Sequence, residues 1–287
     1  MALPSDPALR MTSVVKSKPP LLIDKNFLQG SKSSEIQRLM ETRRLLMADT
    51  LFYELLSSAE PGRSRCFAKL PAIENPVDLV NHVGGLLKRE IRSHRPCGKP
   101  SENLEELRFR FNHALASPNF ALPTDVIEAI QEEEAQLHIE VESLLALVET
   151  VPTIFPDLLK GSDSERANLR TIVESVIADD MDGIRTMYSS LSSPPDGPAL
   201  PPAELIDRHW AIYRWLQVRL LFVVDIYCRY GGTVPQHPVG RVFERLEHDV
   251  QDAQYLVLGV LEGSFATRER KLQRWFSLLC PEGDLYS

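Results

Sequence analysis

The sequence predicts an α/β fold whose parallel sheet is built from the two chain ends, with a large all-helical insertion between them. Three observations carry this expectation. Strand and helix signals alternate through the first sixty residues, helical periodicity alone fills the middle, and a short strand flanked by helices returns near the C-terminus.

Residues 1–18 are polar or small, with Pro4 and Pro7, and read as a flexible arm. Pro19 and Pro20 stiffen the approach to Leu21, Leu22 and Ile23, an apolar run closed by Asp24 that suits a buried parallel strand. Ser34 followed by Gln37 fits a capping box and predicts a helix over 35–43. Leu45, Leu46 and Met47 read as a second strand. Asp49 or Thr50 then caps a helix in which Leu51 and Leu55 share a face, with Glu54 beside them. From Pro76 to Arg229 the strand signal fades. Helices are expected over 77–94, 103–115, 125–148, 165–191 and 204–229, several of them separated by segments such as HRPCGKP and SSPPDGPALPP. A helix over 242–261, a strand over 264–267 and a helix over 268–279 close the chain. The expected organisation is an arm at 1–18, an α/β part at 19–62 and 238–287, and the helical insertion at 63–237.

Composition narrows the function. A formal charge of −8 withholds the basic footprint of a nucleic-acid binder and leaves room for local basic patches or for a site that is itself acidic. Cys66, Cys97, Cys228 and Cys280 form no Cys-x-x-Cys pair and read as reduced thiols. The N-terminus lacks an apolar signal region, and no apolar run reaches the roughly 18 residues of a membrane span. A cytoplasmic protein without membrane contact is expected. Neither a Gly-rich phosphate loop nor a Gly-x-Ser-x-Gly elbow is present, which leaves nucleotide-dependent and serine-hydrolase readings without support.

Five acids stand where chemistry is done. Asp24 directly follows a strand, and in a parallel sheet ligands bind beyond the carboxyl ends of strands. Glu54 lies on the helix after the second strand. Asp249 and Asp252 are three apart on one helix and share a face. Glu269 follows the strand that ends at Thr267. Carboxylates that converge repel one another, and divalent cations remove that repulsion. Mg2+ and Mn2+ take oxygen ligands, and in phosphodiester cleavage they activate water and neutralise the leaving oxygen. Taken singly, each acid also fits a plain structural role as a turn cap, a solvated helix edge or a helix-start residue.

In order and context these residues resemble the PIN domain family. The run LLIDKNFL places Asp24 and Asn26 where the family has Asp-x-Asn after its first strand. LLMADTLFYELL supplies the helix acid, Glu54. DAQYLVLG supplies Asp252, with Asp249 one turn earlier able to replace or assist it. FATRE supplies Thr267 and Glu269. The resemblance covers roughly 20–60 and 240–287. Glu269 stands where the family has Asp, and the insertion is larger than the compact family needs. The resemblance implies a PIN-like endoribonuclease that cleaves RNA with Mg2+ or Mn2+ held by Asp24, Glu54, Asp249 or Asp252, and Glu269, with Asn26 and Thr267 supporting them. It also implies a toxin-like nuclease held off by an inhibitory or regulatory protein partner on the helical insertion, or a variant that binds partners after losing catalysis.

Two further patterns bear on function. Metal-independent ribonucleases of the HEPN family use an Arg, four to six intervening residues and then a His, and Arg89/His94, Arg108/His113 and Arg241/His248 all match that loose spacing. The stretch 204–229 mixes Trp210, Tyr213, Trp215, Phe222 and Tyr227 with arginines, and reads as a buried bundle helix with an Arg edge in preference to a base-stacking face. The acidic run 128–143 reads as a solvated helix face.

Overall fold

Hydrophobic runs too short for helices form the centre of the molecule. The computed structural model describes residues 18–73, 75–104, 113–191, 197–234 and 238–287. The chain begins with β1 (Pro20–Ile23), α1 (Lys25–Gly30), α2 (Ser33–Thr42), β2 (Arg44–Ala48), α3 (Asp49–Ser57), α4 (Gly62–Phe67) and β3 (Asp78–Val80). A helical stretch follows: α5 (Val83–Ser93), α6 (Thr124–Val148), α7 (Val151–Ile154), α8 (Asp163–Asp179), α9 (Met181–Ser189) and α10 (Ala211–Arg229). The return to the sheet uses α11 (Arg241–Glu262), β4 (Ser264–Ala266), α12 (Arg270–Leu279) and β5 (Asp284–Tyr286).

The five strands form one parallel sheet in the order β3-β2-β1-β4-β5. Successive strand side chains point to opposite faces, yet Leu21, Leu22 and Ile23 are all buried, so the sheet is covered on both sides. β1 and β4 join the two chain ends through the pairs Leu22–Phe265 and Ile23–Ala266. The strand order reverses between them, which makes their carboxyl ends the topological switch point of the sheet.

α11 packs along β1 and β4 and against α10, the buried central helix of the molecule. Its Gly259 faces Phe265 of β4, where a Cβ would stand 2.8 Å from the ring. Because Phe265 is fully buried and cannot retreat, Gly259→Ala is expected to lower stability by about 1–2 kcal/mol despite alanine's better helix propensity. A urea midpoint equal to or above wild type would refute this close packing. The main hydrophobic core runs without a break from the strands into α6, α8 and α10, with a small satellite around Tyr188, Trp210 and Tyr213. Glu90 of α5 ties the two halves of the helical layer: its carboxylate accepts backbone N–H groups of Cys97, Ala211 and Ile212, the last two at the start of α10.

Several expectations need correcting. The insertion is not all helical, because β3 lies within it and extends the sheet beyond β2. The helix expected over 77–94 is therefore a strand followed by α5. Short apolar runs do not separate the two periods, and a three-residue edge strand gives little alternation to read. The helix expected over 165–191 is two, broken at Asp180, whose side chain caps α9 through the Gly183 N–H. β5 and α1 were not anticipated. Neither Asp49 nor Thr50 caps α3, since Ala48 takes that position, and α2 receives its reach-back bond from Glu35 to the Lys32 N–H instead of from Ser34 and Gln37. The expected arm falls on 1–17, apart from Lys18, and most of the helix at 103–115 falls on 105–112; both lie outside the described residues. The long helices at 125–148, 204–229 and 242–261 match α6, α10 and α11 to within a few residues, apart from the start of α10 at Ala211.

Candidate functional site

Asp24 ends β1 and caps α1: its Oδ1 accepts the Phe27 N–H at 2.6 Å. Its other oxygen, Oδ2, is buried with no hydrogen-bond partner, although the residue is only 1% exposed. A buried carboxylate oxygen left without a partner is costly. The carboxyl is accordingly pushed up to about 6, first by burial, with Glu269 and Glu54 adding to the rise and Thr267 and the Phe27 N–H opposing it.

The other acids converge on the same place. A cleft of about 510 Å3 at the switch point is lined by Asn26, Glu54, Asp249, Asp252 and Glu269. Asp252 of α11 is held well above the usual carboxylate range, mainly by burial; Lys271 opposes the rise, while Asp24, Glu269 and Asp249 reinforce it. Thr267 continues β4, and its hydroxyl oxygen accepts the Glu269 N–H at 3.1 Å. Asn26 reaches Glu269 at 3.5 Å, a long contact. Five of the seven positions chosen from the sequence line this cleft, and the other two, Asp24 and Thr267, lie buried behind it next to Glu269, although 243 residues separate Asn26 from Glu269.

Two of the acids are already engaged. Glu54 receives Lys25 Nζ on Oε1 and the buried Tyr255 hydroxyl on Oε2, each at 2.7 Å. Asp249 holds Arg229 through both oxygens, at 2.7 and 3.0 Å, and takes Lys271 Nζ at 2.9 Å. Asp225 of α10 backs both cations and pairs with Arg170, and Arg170 bonds Glu174. Burial alone would depress Arg229; Asp249 and Asp225 raise it instead. Lys25, Tyr255, Arg229 and Lys271 were not singled out by the sequence. Lys25 beside Asp24, Lys271 two residues after Glu269 and Tyr255 three after Asp252 were readable as neighbours on the same loop or helix face. Arg229, at the far end of another helix, carried no such signal.

Among the described residues, no three His, Cys, Asp or Glu side chains come together as a ready-made metal-holding group. The donor set still suits a hard cation: every candidate ligand is an oxygen, one is orphaned, and Asp24 adds to the rise of the Asp252 carboxyl. Mg2+ commonly uses one or two carboxylates, with water and substrate phosphate completing its shell. Asp24 and Asp252 fit that pattern, with Glu269 alongside.

The rival sites are dispersed. Arg89 bonds the Asn103 side chain, and His94 meets the Ala199 carbonyl at 3.1 Å. Arg241 is exposed outside the cleft lining, whereas His248 lines the cleft. Arg108 and the His113 side chain lie outside the described residues. Trp210, which caps α10, and Tyr213 and Phe222 on it are buried, as expected of a bundle helix. The acidic run on α6 is only partly solvated, for burial raises the carboxyls of Glu133 and Glu140. All four cysteines are free. No helix among the described residues is long and apolar enough to cross a membrane.

Comparison of the chain with protein-family models, with curated proteins and with solved structures returned no match.

Proposed function

We propose that this cleft is the active site of a PIN-like, divalent-cation-dependent nuclease that hydrolyses RNA phosphodiesters. The observation that carries the reading is the orphaned Oδ2 of Asp24, whose carboxyl is pushed up first by burial at the switch point, with repulsion from Glu269 and Glu54 adding to the rise. Such repulsion is expected where a cation belongs. Asp24 and Asp252 would hold Mg2+ or Mn2+, with Glu269 beside them. A bound cation supplies charge neutralisation on the phosphoryl oxygens and an activated water. The Thr267 hydroxyl and Asn26 set the Glu269 loop. Glu54 is positioned by Lys25 and Tyr255, so it acts by orienting the cleft wall. Asp249 fixes Arg229 and Lys271 at the rim, where cations attract a phosphate. A cytoplasmic location and a regulatory protein partner docked on the helical layer belong to the same proposal.

The test is cleavage of a labelled mixed-sequence RNA in Mn2+ or Mg2+, in EDTA, and by Asp24→Asn. Cleavage lost in both EDTA and the variant is expected. Cleavage that survives EDTA would sink the metal reading. A second reading, a PIN-like interaction protein without catalysis, draws on the ion pairs Lys25–Glu54 and Lys271–Asp249, in which protein cations already neutralise two of the acids. It predicts no Mn2+ binding by calorimetry, whereas the nuclease reading predicts binding that Asp24→Asn removes.

A further inference from the structure

The cleft lining sets four basic side chains, Lys25, Arg229, Arg245 and Lys271, against four carboxylates, in a chain whose formal charge is −8. Three of the four cations are tied to Glu54 or Asp249. Arg245 is different: it is exposed at the mouth and has no carboxylate partner within ion-pair distance among the described residues. His248 is exposed one turn away and lines the same wall. Positions 245, 248, 249 and 252 recur at helical spacing, so α11 presents a single stripe that is basic outside and acidic inside. Their near neighbours Glu244 and Glu247 lie outside the cleft lining.

Seven residues of helix separate Arg245 from Asp252, roughly 10 Å along the axis at the usual rise. That spacing sets the Arg245 side chain further out along the groove than the acids and leaves room for a second phosphate beside it. We infer that Arg245, with His248, holds the phosphate next to the scissile one, so that the cleft takes an extended nucleic-acid strand running along α11 and not a mononucleotide. The inference rests on the nuclease reading for its scissile phosphate, but its binding claim can be read separately. Arg245 is a specificity residue here. It sets which substrates reach the acids and takes no part in bond breaking.

The experiment measures binding in Ca2+ and cleavage in Mn2+, so that the two failures separate. A labelled single-stranded hexaribonucleotide is titrated by anisotropy across a salt series, beside a dinucleotide. Wild type is expected to bind the hexamer at least tenfold more tightly. Arg245→Gln should lose most of that advantage and flatten the salt dependence by about 0.7 in log–log slope, the value for one single-strand phosphate contact. Arg245→Lys should recover most of it, since a point charge satisfies a phosphate. Equal affinity for the two lengths, no binding of the hexamer, or an Arg245→Gln variant with unaltered length and salt dependence would each overturn the strand path. Binding that depends on Arg245 without cleavage in Mn2+ would sink the nuclease reading and keep the groove. Cleavage with unaltered Arg245→Gln binding would do the reverse.

Discussion

Asp24→Asn is expected to cut cation-dependent cleavage by about two to three orders of magnitude and, in the same protein, to raise its melting temperature. The two effects share one cause. An acid held at about 6 in place of 3.8 is worth about 3 kcal/mol between its protonation states, and above pH 6 that amount opposes folding. Asparagine keeps the shape and can still accept the Phe27 N–H, but it carries no charge to bury. Allowing for the weaker cap, a net gain of about 1–2 kcal/mol and a few degrees is expected at pH 8. The sign follows from linkage. Because the folded pKa lies above the unfolded one, the stability tied to Asp24 is fully present below about pH 4 and is lost as pH rises through about 6. Asp252, raised in the same direction, adds to the loss as pH rises. Thermal scans at pH 5 and pH 8 should therefore converge for the variant relative to wild type. Added Mg2+ should stabilise only wild type, since it binds the folded, charged site. Cleavage should fall on the order of 100- to 1000-fold. A variant that is less stable at pH 8, or that Mg2+ still stabilises, would show that Asp24 is only a turn cap.

The pair Asp249 and Asp252 gives the second large contrast. They share a face of α11 but not a role. Asp252→Asn should behave like Asp24→Asn, more stable and inactive. Asp249→Asn should lose about 2–3 kcal/mol, because it leaves Arg229 and Lys271 facing Asp225 alone. Fully buried pairs lose more than this, but these cations keep some exposure to water. Mn2+ affinity, read by calorimetry, should survive in Asp249→Asn and vanish in Asp252→Asn. Loss of Mn2+ binding in Asp249→Asn at unchanged urea midpoint would make Asp249 the ligand and return Arg229 and Lys271 to solvent.

Why the two acids differ could not be read from their spacing. Three residues apart on a helix places both in one cleft, and the chain alone shows nothing more. The difference lies in Arg229, which arrives from the end of α10, and in Lys271 from α12. Glu54 is similar. Its position on the helix after β2 was legible, but the Lys25 and Tyr255 contacts that occupy both its oxygens come from elsewhere in the fold. β3 and β5 stayed hidden for another reason: three-residue edge strands carry too few alternations to separate from a loop or a helix start.

Local patterns by themselves determined the helices with long periodic faces, the first two strands, and the placing of Asp24 and Glu269 at strand ends. These depend on residues within a turn or two of one another, where period and capping speak directly. Only the tertiary structure decided that β1 and β4 lie side by side, that Asp24 Oδ2 is left without a partner, and that protein cations satisfy Asp249 while Asp252 remains pushed out of its usual range. Burial and charge compensation are sums over groups far apart in the chain, so no window of sequence contains them.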